Sequence, residues 1–158
     1  MYDILIKNGT VFDGTGKKDG FVADVGITGD LISAVGDLKN ASAKKTIDAK
    51  GLYVAPGFID VLNHSDTYLT LFTIPKQNSL VSQGITTIIG GNCGTSLAPL
   101  VSSGAMISVQ KWTDPSQINV DWLRMSEFLA LLENKKQLAV NFGTIAGYST
   151  IRNGILKG

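Results

Sequence analysis

The stretch Pro56-Gly57-Phe58-Ile59-Asp60-Val61-Leu62-Asn63-His64-Ser65-Asp66 decides how the rest of the chain is read. Pro56-Gly57 marks a turn, and Phe58 to Leu62 is a short, mostly apolar run of strand formers. Side chains alternate faces along a strand, which predicts Asp60, Leu62 and His64 on one face and Val61 and Asn63 on the other. An acid, a space-filler and an imidazole would then gather at the C-terminal end of a buried strand. In a barrel of parallel strands, catalytic groups sit at that end.

On either side of this stretch the grammar differs. Before it, Ile4–Lys7, Thr10–Phe12, Ala23–Thr28, Leu31–Val35 and Thr46–Ile47 read as short strands. They are punctuated by Asn8-Gly9, Asp13-Gly14, Gly29-Asp30 and Lys50-Gly51; Asn8-Gly9 and Gly29-Asp30 predict hairpins. Residues 1–55 are expected to form a small, partial β-sandwich domain.

After it, strands alternate with helices. A helix is expected from about Lys76 to Gln83, ended by Gly84. Ile85–Ile89 is β-branched at every position and reads as a parallel strand buried on both faces. A long irregular segment then runs from Gly90 to about Pro115, and loops of that length usually carry function. An amphipathic helix follows, about Asp121 to Asn134, with Trp122, Met125, Leu129 and Leu132 on one face. Leu138–Phe142 forms the last strand, and Ser149 caps a final short helix. The fold class is α/β, and strand–helix–strand–helix–strand over residues 56–158 is the opening of a βα barrel or of an open α/β sheet. At 158 residues the chain is too short for a whole barrel, which takes about 250.

Cys93 lies among Gly90, Gly91 and Gly94, glycines that permit unusual dihedrals and close backbone approach. By itself a lone cysteine reads as a small buried hydrophobe. His64, the sole histidine, reads equally as a hydrogen-bonded structural residue or as a ligand.

The Pro56–Asp60 run leading to His64 resembles the first-strand motif of the amidohydrolase superfamily, where Pro-Gly-Phe-Ile-Asp precedes a metal-binding His-x-His pair. Gly90-Gly91-Asn92-Cys93-Gly94-Thr95-Ser96-Leu97-Ala98-Pro99 resembles the cysteine loop of its D-aminoacylase branch, the N-acyl-D-amino-acid deacylases. Asp3-Ile4-Leu5-Ile6-Lys7-Asn8-Gly9-Thr10-Val11-Phe12-Asp13-Gly14 is similar to the leading β-domain of the same superfamily.

That resemblance implies that residues 56–158 are the first strands and helices of a TIM-like (β/α)8 barrel, in a zinc-dependent hydrolase of non-peptide C–N bonds with N-acyl (D-)amino acids as small-molecule substrates. It makes Cys93 a zinc ligand and His64 a second metal residue. Leu62 stands where the first histidine of the pair would be, and Tyr148 follows Gly147 where relatives often carry Gly-His. Asp60 is expected to hold loop amides at the base of the site. Asp66 either orients His64 or caps the connection that follows. Asn63 and Asn92 are polar site-lining candidates or loop hydrogen-bonders. Arg152 is a candidate partner for a substrate carboxylate or a solvated helix-face charge. Trp112 and Trp122 are expected to be packing anchors.

The resemblance implies further histidine ligands from later strands and an aspartate base near the barrel's end; no histidine follows His64, neither group is expected to have a counterpart here, and no residue is assigned as catalytic. The chain alone is expected to be catalytically incomplete. Two alternatives stand beside the hydrolase fragment: a non-catalytic structural or binding domain, and one chain of a two-chain barrel. An open barrel edge invites self-association or pairing.

A net charge of +1 gives no reason to expect a nucleic-acid or membrane partner; the Lys17-Lys18 and Lys135-Lys136 pairs read as solvated. No apolar run approaches the roughly 18 residues of a membrane span. One cysteine cannot form an internal disulfide, which fits a reducing cytoplasm.

Overall fold

A computed structural model describes residues 1–101, 106–110, 112–135 and 138–156. Part of the long segment after Gly90 (residues 102–105 and 111), Lys136 of the second lysine pair, and Gly158 lie outside the described residues. The chain divides into two compact units, Met1–Pro56 and Gly57–Gly158, and its architecture is mixed α/β.

The first unit is a five-stranded sheet. It contains β1 (Tyr2–Val11), β2 (Phe21–Thr28), β3 (Leu31–Gly36), β4 (Ala43–Asp48) and β5 (Tyr53–Val54). The order is β3-β2-β1-β4, with β5 also pairing with β1. Gly29-Asp30 is the expected two-residue hairpin, with Thr28 opposite Leu31. Asn8-Gly9 is not a hairpin: β1 continues through it, with a register irregularity between Ile6 and Gly9. Asn8 adopts a φ of 63°. Its amide donates to the Asp24 carboxylate at 2.9 Å, away from the ladder, and its side chain donates to Asp48 at 2.9 Å. Residues tolerant of the left-handed region serve β-bulges as well as hairpin turns, and side-chain partners elsewhere in the sheet decide between them. Parallel β4 and β5 pair with β1 on either side of this bulge. Val11, Ala23 and Val25 form the buried core, with Ile6, Ile27 and Val54 against it.

The second unit holds a parallel three-stranded sheet, ordered β6 (Phe58–Asp60), β7 (Ile85–Gly90), β8 (Asn141–Thr144). Its helices are α1 (Thr70–Thr73), α2 (Asn78–Val81), α3 (Ile107–Gln110), α4 (Met125–Lys135) and α5 (Tyr148–Leu156), with a 3₁₀ turn at Pro115–Gln117. β6 stops at Asp60, short of the expected Leu62. The Asp60 carboxylate accepts from the amide of Leu62 at 3.1 Å and the side-chain amide of Asn63 at 2.8 Å, which turns the chain out of the sheet. The strand alternation that would place Asp60, Leu62 and His64 on one face therefore ends before Leu62.

β7 is only partly buried. Ile88 and Gly90 are inside, Thr86 is exposed, and the remaining positions are intermediate. Burial increases toward the C-terminal end, where the core meets the strand. That core includes Leu69, Leu97, Val109, Trp122 and Phe128. Phe72 stacks on Trp122 with centroids 5.9 Å apart, and Trp122 lies 5.3 Å from Phe128. The Trp122 indole donates to the Leu97 carbonyl at 2.8 Å, so this tryptophan is a packing anchor as expected.

Helix α4 starts at Met125, later than expected. Glu127 accepts from the amides of Leu123 at 2.8 Å and Arg124 at 2.9 Å, filling otherwise unpaired donors at the helix start. Its inner face is Phe128 and Leu132, while Leu129 is exposed. Ser149 lies inside α5 rather than capping it. The α5 start is instead met by the Gly94 carbonyl, which accepts from the amides of Ser149 at 2.8 Å and Thr150 at 3.2 Å.

Candidate metal centre

Three loops at the C-terminal ends of β6, β7 and β8 meet, as expected where parallel strands end together. The loop after β6 carries Asn63, His64, Asp66 and Thr67. The Asn63 amide donates to the Ile89 carbonyl at 3.2 Å, and its side-chain oxygen accepts from the Ser65 amide at 2.8 Å. Asp66, fully buried, accepts from the Thr67 amide at 2.8 Å and from the Gly91 amide at 2.7 Å. Burial pushes the Asp66 carboxyl above the usual carboxylate range, opposed by those two amide donors and by the nearby His64 charge. Asp66 thus ties the histidine loop to the cysteine loop, and both of these hydrogen bonds run to backbone amides and not to the His64 ring. Asn92 donates to the Ile89 carbonyl at 2.7 Å, with longer contacts to the carbonyls of Asn63 and Val61. Asp60, Asn63 and Asn92 therefore all hydrogen-bond within the loop framework.

The cysteine loop takes a path that few residues can follow. Gly91, Cys93 and Gly94 have φ of 79°, 54° and 74°. A Cβ on Gly91 would collide with the Ile145 carbonyl, and one on Gly147 would lie 2.6 Å from the Gly94 oxygen. Glycine at both places lets the loop after β8 lie directly against the cysteine loop. Ser96 and Thr150 lock the two together. The Thr150 hydroxyl accepts from the Ser96 amide at 2.9 Å and donates to the Ser96 carbonyl at 3.1 Å, and the Ser96 hydroxyl accepts from the Gly147 amide at 2.9 Å.

This framework brings Cys93 Sγ to 3.8 Å from His64 Nε2. The thiol is exposed, not the buried hydrophobe that a lone cysteine suggests. The His64 ring stacks on Trp112, centroids 5.2 Å apart and planes 19° apart, and Tyr68 meets Trp112 edge-on at 5.6 Å. Thr67 Oγ1 lies 3.5 Å from His64 Nδ1 and donates to the His64 carbonyl at 3.3 Å. Leu62 and Tyr148 are both strongly exposed, and Arg152 is exposed on α5.

The pair suits a thiophilic divalent ion. Zinc with a thiolate at about 2.3 Å and an imidazole nitrogen at about 2.0–2.1 Å, in tetrahedral array, sets those donors about 3.6 Å apart. The observed 3.8 Å is close to that separation. Two donors do not complete a centre, and among the described residues no group of three or more His, Cys, Asp or Glu side chains could hold a metal ion. Thr67, Trp112, Ser96 and Thr150 are the residues that sequence reasoning missed in these roles. A threonine three places after the histidine was a local signal; the other three needed the tertiary structure.

Fold and site together define a mixed α/β chain with a thiol–imidazole pair at the carboxyl ends of parallel strands. Residues 45–155 match the Amidohydrolase family, and this chain belongs to that family. It is 37% identical to a D-aminoacylase of Alcaligenes xylosoxydans xylosoxydans over 98% of this chain and 31% of that protein. The crystal structure of a D-aminoacylase superposes with a TM-score of 0.86 at 38% identity, covering 100% of this chain and 32% of that one. An N-acyl-D-glutamate deacylase from Bordetella bronchiseptica, complexed with zinc and a phosphonate mimic of the reaction's tetrahedral intermediate, gives 0.81 at 32% identity, covering 97% and 31%. The chain therefore spans about a third of the length of these relatives.

Proposed function

We propose that this chain forms the N-terminal portion of a zinc-dependent amidohydrolase that cleaves the amide bond of N-acyl-D-amino acids. The observation that carries the reading is Cys93 Sγ at 3.8 Å from His64 Nε2, on loops held by the Asp66–Gly91 and Ser96–Thr150 contacts. Similarity to D-aminoacylase and to the zinc-containing deacylase supports the metal and the substrate class. In this reading residues 1–55 are part of a β-sandwich and residues 56–158 open a (β/α)8 barrel. Cys93 and His64 hold zinc, with Asp60, Asn63, Asn92 and Asp66 shaping the loops around them.

When bound, the metal polarises the substrate carbonyl and lowers the pKa of the attacking water. The protein groups present do the rest of what this portion contributes. Cys93 takes a positive φ and is exposed, and the Trp112 ring covers one face of the imidazole. The base and further donors come from outside these residues. The outer edges of β6 and β8 are the surfaces through which the barrel is completed, by further chain or by another chain. The single cysteine supports a reducing, cytoplasmic setting. Among the described residues no helix is long and apolar enough to cross a membrane.

The second reading, a non-catalytic binding domain, is favoured by Leu62, which offers no donor beside His64. Two measurements separate them. Titration with Cd²⁺ should raise a thiolate-to-metal ultraviolet band that C93S abolishes and H64A weakens; no band in the parent protein refutes the metal assignment. Protein isolated from its native source should show zinc-dependent release of amino acid from N-acyl-D-amino acids and an intact mass above 16.8 kDa. A mass of 16.8 kDa without hydrolysis leaves the binding domain.

A further inference from the structure

We propose that Thr67 and Trp112 position His64: the Thr67 hydroxyl fixes the imidazole as the Nδ1–H tautomer, and the Trp112 indole fixes its plane, so that a bare Nε2 faces Cys93. The inference deepens the metal reading above and rests on it only for its purpose, not for its geometry.

A threonine hydroxyl has one hydrogen to give and two lone pairs. A carbonyl can only accept, so in the 3.3 Å contact with the His64 carbonyl Thr67 is the donor. Its hydrogen is then committed, and toward His64 Nδ1, 3.5 Å away, the same oxygen can act only as an acceptor. An Nδ1–H can donate to that oxygen, whereas a bare Nδ1 would set lone pair against lone pair, so the arrangement favours the ring proton on Nδ1 and, in a neutral imidazole, a free lone pair on Nε2. That lone pair lies on the side of the ring from which Nε2 approaches Cys93 Sγ. Thr67 is fully buried, so water does not compete for its hydroxyl. Its amide is separately held by Asp66, which fixes the backbone that carries it.

The tautomer alone leaves the ring free to rotate about χ2. The 19° stack on Trp112 removes that freedom, and Tyr68, edge-on to the indole at 77°, braces Trp112 in turn. A donor imidazole oriented through its other nitrogen is a general feature of metal sites. The serving group at this site is a hydroxyl three residues downstream, not the carboxylate of Asp66.

The chain contains one histidine, so ¹⁵N-labelled imidazole gives a single set of signals. In metal-free protein, at a pH where the ring is neutral, two-bond ¹H–¹⁵N correlations should report the Nδ1–H tautomer. The ring protons should be shifted upfield by the indole. T67V should move the tautomer ratio toward Nε2–H by about three- to tenfold, the scale of one neutral hydrogen bond, while T67S keeps the parent ratio. W112L should abolish the upfield shift and leave the tautomer unchanged. A parent protein in the Nε2–H form, or a T67V ratio equal to the parent's, overturns the proposal. Cd²⁺ titration of the same samples is read separately: no thiolate band in the parent protein sinks the metal reading and leaves the tautomer result standing. If both hold, T67V should weaken Cd²⁺ binding by a factor similar to its tautomer shift.

Discussion

Two glycines with nearly the same φ make a matched test of what holds the cysteine loop. Gly84 has φ 78° and Gly91 has φ 79°, and both lie in the second unit. A Cβ at Gly84 would meet the Phe58 ring at 3.5 Å, an ordinary contact; at Gly91 it would strike the Ile145 carbonyl. Alanine in the left-handed region costs about 1–2 kcal/mol, which a less flexible unfolded chain offsets by about 0.4–1 kcal/mol. G84A should therefore lose about 1 kcal/mol, since only the backbone term applies. G91A carries the same term plus the overpacking of a backbone that cannot swing aside, about 1–3 kcal/mol more. Its total should be about 2–4 kcal/mol. Both tryptophans, Trp112 and Trp122, lie in this unit, so their fluorescence during urea unfolding reports its stability without contribution from the first sheet. G91A should also lose the Cd²⁺-thiolate band before it unfolds, because Cys93 is two residues away, whereas G84A should keep it. Equal destabilisation of the two variants, within about 0.5 kcal/mol, would refute the reasoning that Ile145 pins the loop.

Three further outcomes follow from the same framework. D66N places an amide nitrogen against one of the two backbone N–H donors and should cost about 1–3 kcal/mol in urea unfolding. Because the native Asp66 carboxyl holds its proton to higher pH than the unfolded one, its contribution declines as pH rises from near 3.8 through the native value and is level above it. D66N should remove that slope, and a profile identical to the parent's would contradict the burial of a titrating carboxyl. T150V removes both Thr150 bonds to Ser96 and should cost about 1–3 kcal/mol while leaving α5 helical by circular dichroism. L62H supplies a second imidazole two residues before His64 and should tighten Cd²⁺ binding by about tenfold, the effect of one additional charge-assisted donor. Unchanged affinity would show that the turn made by Asp60 holds position 62 away from the pair.

Much of the fold was legible because it depends on local patterns. The Gly29-Asp30 hairpin, the strand content of the first unit, the β-branched run of β7 and the existence of α4 all follow from short-range propensity and spacing. Elsewhere a side-chain hydrogen bond, near or distant in sequence, overrode the propensity of the run. Asn8-Gly9 became a bulge because Asp24 and Asp48 offered acceptors. β6 ended early because Asp60 captured the Leu62 amide, and α4 began late because Glu127 captured those of Leu123 and Arg124. The inner face of α4 shifted to Phe128 because the aromatic stack of Phe72 and Trp122 is nonlocal.

The site divides in the same way. Residue chemistry left an imidazole near a strand end and a thiol among glycines open between structural and ligand roles, and the motifs that resemble one family marked His64 and Cys93. Those are properties of short segments, and the chain keeps them whatever its partners. That the two donors stand 3.8 Å apart, 29 residues apart in sequence, was decided only in three dimensions. So were the turning of Asp66 toward Gly91, the stack of Trp112 on His64, and the clasp of Ser96 by Thr150. Each joins segments more than twenty residues apart, whose approach depends on parallel strand order and on backbone contacts that Gly91 and Gly147 permit. A sequence names the groups able to bind or react; the packing of loops at the ends of β6, β7 and β8 determines which of them meet.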